Sequence, residues 1–415
     1  MPAGARDFRR LLGAQFVAQA GDGFVQAVVA DVLLLDPLEQ RTPGRILALT
    51  VLTLLPYSAL SPFLGVFVDR WERRAIMVWT NVARAVVLVA LPLWGRALSG
   101  DAELYVAVLA LLGFGRLFLT TKGAALPVLV HERGLLRANA VSGGGGMVSA
   151  VSGGGAGVAA AAVVSTTAAF ALAACAYLAS AAIAARIGTR MRHPGARTEQ
   201  LRAAYVRVAR ELADGTAVIA RRAHAALPLA GIFVLRTAGM LVVFAAILAI
   251  KQEFPGAGDD AARLGAAGVA LAASGAGLFL GVVAAPVAGR SLPNARLILL
   301  GFAISGAGIV VLGGIVSVPA IVVLTFVGSF GGALAKVAVD AQVQEALPDE
   351  YRGRAFALYD ILYNAASVAA AVVLVAAQDA SLRVVLPTGG LVTLLLAGAL
   401  GAAMARAGML RRAPA

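Results

Sequence analysis

Apolar residues run along this chain in blocks long enough for membrane helices, separated by short polar segments. A hydrocarbon core needs roughly 20 apolar residues per helix at a rise of about 1.5 Å each. By that measure twelve spans are expected, at residues 11–35, 46–68, 75–95, 103–121, 139–163, 166–187, 225–250, 264–288, 295–315, 318–341, 355–377 and 384–406. The period-two alternation of an outer-membrane strand is absent from these blocks.

Composition excludes a soluble domain. Of 415 residues, 60% are hydrophobic and 14% charged, against about half and about a quarter in soluble proteins. Forty-seven glycines spread through the apolar runs suit helices packed closely in lipid. A single cysteine, Cys175, rules out a disulfide framework, and with three histidines no metal site is expected. The predicted fold class is an all-α polytopic membrane protein with twelve transmembrane helices.

The net charge of +13 then becomes a question of location. With the N-terminus inside, the inner segments hold 25 of the 35 Lys and Arg and the outer loops hold six. Arg84, Arg116, Arg236 and Lys336 fall within spans. The positive-inside rule places both termini in the cytoplasm of a multi-pass protein of the cell (inner or plasma) membrane. The basic excess reads as topology plus attraction to anionic lipid headgroups, which removes nucleic acid as a partner. The first apolar run is too long for a cleavable signal peptide.

The longest polar stretch, 188–224, separates a six-helix bundle at 1–187 from a second at 225–415. Within this linker Leu201, Tyr205, Val208 and Leu212 share one helical face, while Arg202, Arg207, Arg210 and Glu211 lie elsewhere. That pattern describes an amphipathic helix on the inner surface, the alternative being a flexible tether. The halves also repeat. Gly65–Arg74 returns as Gly281–Arg290 at an offset of 216, and Val130-His131-Glu132 with Arg137-Ala138 returns as Leu347-Pro348-Asp349 with Arg354-Ala355 at 217. Nearly equal offsets at separate places indicate a duplicated six-helix unit, so the two bundles are expected to be pseudo-symmetric, as in many secondary transporters.

The segment Gly65-Val66-Phe67-Val68-Asp69-Arg70-Trp71-Glu72-Arg73-Arg74 resembles the signature between helices two and three of the major facilitator superfamily. Ala125-Leu126-Pro127 with Arg137-Ala138-Asn139, and Leu347-Pro348-Asp349-Glu350-Tyr351-Arg352-Gly353-Arg354, are similar to loops of the subgroup containing enterobactin-type exporters and macrolide efflux proteins. Gln15-Phe16 with Gly21-Asp22-Gly23 is similar to that subgroup's first helix. The resemblance implies proton-coupled efflux of a small amphipathic compound (a drug, siderophore or secondary metabolite) by alternating access. Its partners would be that substrate, protons and membrane lipid, and the chain is expected as a monomer without a cofactor. No catalytic residue is expected, since neither H-E-x-x-H nor a Gly-Lys-Ser/Thr after the glycines of the fifth span is present. The alternatives are a transporter-like receptor or scaffold, and an intramembrane lipid-handling protein.

The same resemblance makes Gly65, Asp69, Arg70, Arg73 and Arg74 a gating motif, with Asp69 facing the N-terminal end of the eleventh helix; otherwise this is a solvated topogenic loop. Two departures stand out. Ala285 occupies the second-half position equivalent to Asp69, and Gly153 to Gly157 resembles the glycine-rich antiporter motif without its proline.

Charges inside spans complete the candidates. Asp22 lies near the bilayer midplane, where an ionised Asp costs about 2.5 to 3.5 kcal/mol on insertion scales. Either it takes up and releases a proton with Arg116 tuning its affinity, or it belongs to a fixed pair with Arg116 or Arg84 or bonds to neighbouring backbone. Arg116 also resembles, more loosely, the arginine of the superfamily's fourth-helix motif. Arg84 and Arg236 are cavity candidates, Arg236 either attracting an anionic group or holding a structural partner. Lys336 and Asp340, four apart on one face, either neutralise each other within a polar packing seam or line the cavity. Asp360 and Asn364, beside Tyr363, line the inner half of the cavity or form a polar seam.

Overall fold

The computed structural model describes residues 3–30, 70–94, 102–130, 135–188, 201–253, 260–315 and 317–410, with Met191 and scattered positions between 44 and 68. Twelve helices lie among the described residues: α1 (Ala3–Ala30), α2 (Arg73–Trp94), α3 (Ala102–Leu129), α4 (Leu135–Val163), α5 (Thr166–Ala185), α6 (Leu201–Ala220), α7 (Ala223–Glu253), α8 (Asp260–Gly289), α9 (Asn294–Leu312), α10 (Val318–Ala346), α11 (Asp349–Ala376) and α12 (Leu382–Arg406). Ten of them are long and apolar enough to cross a membrane. The other two are α1, which carries Asp7, Arg9, Arg10, Gln15, Gln19, Asp22 and Gln26, and the amphipathic α6. Helix α1 corresponds to the first expected span, α2 to α5 to the third through sixth, and α7 to α12 to the seventh through twelfth. The second, 46–68, falls mostly outside the described residues. Helix α3 continues past the expected end at residue 121, so Lys122 belongs to the segment Val106–Leu129 rather than to an inner loop.

The helix pairings recur between the halves. Helix α1 packs on α3, α4 and α5, and α2 packs on α3 and α5. In the second half α7 packs on α10, α11 and α12, and α9 packs on α10 and α12. These are the same pairs when spans one to six are superposed on seven to twelve, as a duplicated six-helix bundle requires. Local capping repeats as well: Ser165 accepts from the backbone N–H of Ala168 to start α5, and Ser381, 216 residues later, accepts from that of Arg383 to start α12. Such caps satisfy N–H groups that the helix itself leaves unpaired.

The described helices separate into two compact units, the break falling between Val208 and Ala209 inside α6. Helix α6 buries Ala204, Gly215 and Ile219 and exposes Arg202, Arg210 and Asp214, a 3.6-residue periodicity. In the first unit Leu11, Ala14, Ala18, Met77, Phe118 and Leu126 form one buried cluster. In the second, Leu229, Ile298, Phe302 and Val339 anchor the core. Small residues let α1 and α4 touch backbone to backbone. A Cβ on Gly153 would overlap the Ala20 carbonyl, and one on Gly23 would overlap the Ala150 carbonyl.

Three helix ends meet at one face of the first unit. Asp7 at the start of α1 is buried; it accepts from the Gly188 N–H at 3.1 Å and from Arg10 Nη1 at 2.9 Å. Arg10 also donates to the Arg186 carbonyl at 2.6 Å, and Arg74 at the start of α2 donates to the Ile187 carbonyl at 3.1 Å. Cations thus occupy the carbonyl end of α5, where the helix dipole favours them. The starts of spans one and three meet the end of span six, the parity a twelve-span order requires.

Candidate functional site

Asp22 projects from α1 toward α2 and α5 at a position where helix propensity gives no reason for a carboxylate. Its Oδ1 accepts from Arg84 Nη1 at 3.1 Å and from the Tyr177 hydroxyl at 2.8 Å. Arg84 is fully buried, whereas the Asp22 side chain keeps 23% of its surface exposed. The guanidinium lies between two rings, 4.9 Å from the Tyr177 centroid and 5.6 Å from that of Phe118. Ring faces are attractive surroundings for a cation that has left water.

A second tier holds this pair. Asn81, one turn before Arg84, accepts from Arg84 Nη1 at 3.3 Å through its side-chain oxygen and donates to Ser180 Oγ at 2.9 Å. Ser180 in turn donates to the Ala14 carbonyl at 2.7 Å, closing a loop through α2, α5 and α1. Gly115 on α3 makes room for the guanidinium, since a Cβ there would lie 2.7 Å from Arg84 Nη2. Gly21 likewise lets the Tyr177 ring lie against α1, with 3.1 Å to a hypothetical Cβ. Arg84 Nε and Nη2 are buried without a hydrogen-bond partner, so the arginine is held by fewer bonds than its five donors allow.

On its open side Asp22 borders a cavity of about 180 Å³ within the first unit, which Arg116, Gln26, Gly115 and Tyr177 also line. At ~30 Å³ per water this is space for a handful of solvent molecules or part of a small ligand. Asp22 is therefore tied to a buried cation on one side and reachable from a cavity on the other. Arg84 supplies the direct ion pair, and Arg116 shares the cavity wall. A further polar chain joins α3, α4 and α1 in the same unit. Lys122 Nζ donates to Ser142 Oγ at 2.9 Å, Ser142 donates to Gln15 Oε1 at 2.8 Å, and Gln15 Nε2 donates to the Ser142 carbonyl at 2.8 Å.

The second unit has its own polar centre. Arg236 on α7 stacks on Tyr363 at 4.1 Å; Lys336 pairs with Asp340 at 2.6 Å and sits over Tyr359 at 5.2 Å. Tyr359 and Tyr363 stack at 5.7 Å. On α11 the Asn364 side chain donates to the Asp360 carbonyl at 2.9 Å. Arg236, Lys336 and Tyr363 line a cavity whose walls do not include Asp360 or Asn364. Of the expected gating motif, Gly65 and Asp69 lie outside the described residues. Arg70 is partly buried, Arg73 is buried, and Arg74 makes the contact to the end of α5.

Residues 11–371 match the family model of the Major Facilitator Superfamily. The chain belongs to that superfamily. This superfamily member is 35% identical over 136 residues to an uncharacterised MFS-type transporter, Mb0038c, of Mycobacterium bovis; the match covers 33% of the chain and about a third (31%) of that relative. Its fold resembles that of a bacterial homologue of the human lysosomal transporter Spinster, in an inward-facing and unoccupied conformation, with 12% identity, a TM-score of 0.70 and full coverage of both chains. A POT family transporter in complex with a thioalcohol-conjugated peptide is similar at a TM-score of 0.75 and 10% identity, covering 97% of this chain and 96% of the other. At such identities the likeness is one of fold, and for this superfamily member the fold is the pseudo-symmetric twelve-helix membrane architecture.

Sequence reasoning singled out Asp22, Arg84 and Arg116 but missed Tyr177, Asn81 and Phe118. The available signals were weak. Asn81 stands three residues before Arg84 and Tyr177 interrupts an alanine-rich helix, but nothing local says that both point at α1.

Proposed function

We propose that this chain is a secondary active transporter that exports a small amphipathic compound in exchange for protons by alternating access. The observation that carries the reading is the Asp22–Arg84 ion pair, joining α1 to α2 inside the first unit and bordered by a cavity on its carboxylate side. Ionised Asp22 neutralises a guanidinium that has no exposed surface. Protonated Asp22 does not, and the attraction holding Arg84 to α1 is then reduced to neutral hydrogen bonding. A proton can shift a two-state equilibrium only by binding one state better than the other. Here it favours the state in which α1 and α2 have parted at this level, and release of the proton favours their reunion. Tyr177 and Asn81 act as positioning residues, keeping the carboxylate and guanidinium aligned. Arg116 stands on the wall of the same cavity.

The energy source follows from what the sequence lacks, since no Gly-Lys-Ser/Thr phosphate loop is present. The export direction rests on the resemblance to enterobactin-type exporters and macrolide efflux proteins. In this reading both termini are cytoplasmic, 1–187 and 225–415 are the two moving bundles, 188–224 links them, and Asp69 with Arg70, Arg73 and Arg74 forms the inner gate. The test is proton flux dependent on added substrate in proteoliposomes. Flux that collapses in Asp22→Asn supports proton exchange, and coupled flux that survives in that variant refutes it.

A further inference from the structure

The second unit encloses a cavity of about 170 Å³ among α7, α8, α9, α10 and α11. Its polar lining is Arg236, Lys336, Tyr363 and the hydroxyls of Ser274, Ser305, Thr325 and Ser329. The ion pair at this site uses Lys336 and Asp340, which leaves Arg236 without a carboxylate partner among the described residues. Two cations therefore face one carboxylate in a segment meant for hydrocarbon surroundings. Arg236 is braced rather than neutralised: Tyr363 stacks on its face at 4.1 Å, and its Nε is buried with no hydrogen-bond partner. The ring contact occupies the guanidinium without accepting any of its N–H donors as a carboxylate would. Ser274 and Ser329 share one hydrogen bond at 2.7 Å, so one of the two hydroxyl protons remains to donate elsewhere.

We propose that this cavity binds the carboxylate of the transported compound. The planar guanidinium of Arg236 takes the two carboxylate oxygens as a fork, Lys336 contributes a second charge, and the serine hydroxyl donates to a remaining lone pair. An isolated cation within a membrane calls for a counter-ion, and a bound carboxylate is one whose departure leaves the cost behind, so occupancy is strongly selective for charge. Pockets for whole drug-sized ligands run to about 300–1,000 Å³. A cavity of about 170 Å³ accordingly admits the acid group and its nearest atoms rather than an entire amphipathic molecule. The inference deepens the export reading by naming an acidic substrate class, and it rests on that reading for the word substrate.

The test uses the purified full-length chain in phosphatidylcholine nanodiscs, with benzoate as the acidic probe and benzamide as its neutral counterpart, followed by thermal stabilisation. Benzoate is expected to raise the melting temperature saturably and benzamide to leave it unchanged, a comparison needing no variant. Arg236→Gln and Lys336→Gln are each expected to weaken benzoate binding about tenfold or more, the scale of a lost charge-assisted hydrogen bond. Arg236→Lys is expected to fall between wild type and Arg236→Gln. Equal stabilisation by the two probes, no effect of benzoate, or unchanged benzoate affinity in Arg236→Gln overturns the proposal. So does loss of benzoate binding in phosphatidylglycerol nanodiscs, which makes the occupant a lipid headgroup. Benzoate binding without benzoate-dependent proton flux leaves the carboxylate site standing and counts against proton exchange instead.

Discussion

Arg84 Nη1 lies 3.1 Å from Asp22 Oδ1 with the arginine wholly buried and the aspartate open to a cavity. The two charges are unequal in environment, and the asymmetry has a consequence. Neutralising Asp22 leaves a buried cation, whereas removing Arg84 leaves a carboxylate that the cavity can hydrate. Asp22→Leu is thus expected to lower the melting temperature of the purified protein more than Arg84→Leu does. The double variant should be less destabilised than the sum of the two, with a coupling energy of about 0.5–3 kcal/mol. Thermal melts of the four proteins in one detergent check this; strict additivity counts against a direct pair.

Gly115 is expected to act on the site through volume alone. Gly115→Ala puts a methyl group 2.7 Å from Arg84 Nη2 and displaces the guanidinium, while Gly113→Ala, two residues earlier, meets nothing within 4 Å. The first should cost about 1–3 kcal/mol as an overpacking change and reduce substrate-dependent proton flux. The second should lie within about 0.5 kcal/mol of wild type. Equal behaviour of the two in melts and flux assays contradicts the described position of Arg84.

The crossing of α1 and α4 supplies a matched comparison. Gly153→Ala drives a methyl group into the Ala20 carbonyl, but Gly155→Ala points into open space. Gly153→Ala is expected to destabilise by more than about 1 kcal/mol, and Gly155→Ala to be neutral or to gain up to about 1 kcal/mol from its better helix propensity. Expression level and melting temperature in detergent read both.

Asp7 holds the beginning of α1 to the end of α5. Asp7→Ala leaves the Gly188 N–H without the oxygen 3.1 Å away and releases one bond of Arg10, so a loss of about 1–3 kcal/mol is expected. Hydrogen exchange at residues 183–188 should quicken in this variant while the core around Tyr177 stays protected. Unchanged protection at the end of α5 shows that the clamp contributes nothing.

Much of the architecture was legible because a membrane imposes length and polarity on every span. The order of the described spans and the recurrence of their pairings between the halves both follow from patterns visible in the sequence. Arg84 was visible as a charge in an apolar run, but its preference over Arg116 as the direct partner of Asp22 was not. That choice is made by Gly115, which opens space beside Arg84, and by two rings contributed from α3 and α5. Both depend on how α2, α3 and α5 rotate about their axes, and packing sets rotation. In the second unit Arg236 was legible as a cavity candidate, but Lys336 as its neighbour on the same wall was not, for the same reason. Lys336 and Asp340 read as a closed pair along one helix, whereas the fold sets Lys336 beside Arg236 from another.

If Asp22 carries the exchanged proton, substrate-dependent proton movement in proteoliposomes holding wild type or Asp22→Asn reads it most directly. Substrate counterflow, which needs alternating access but no net proton transfer, serves as the control for folding. Asp22→Asn is expected to retain counterflow and lose proton movement. Proton movement at the wild-type rate in Asp22→Asn contradicts Asp22 as the proton carrier.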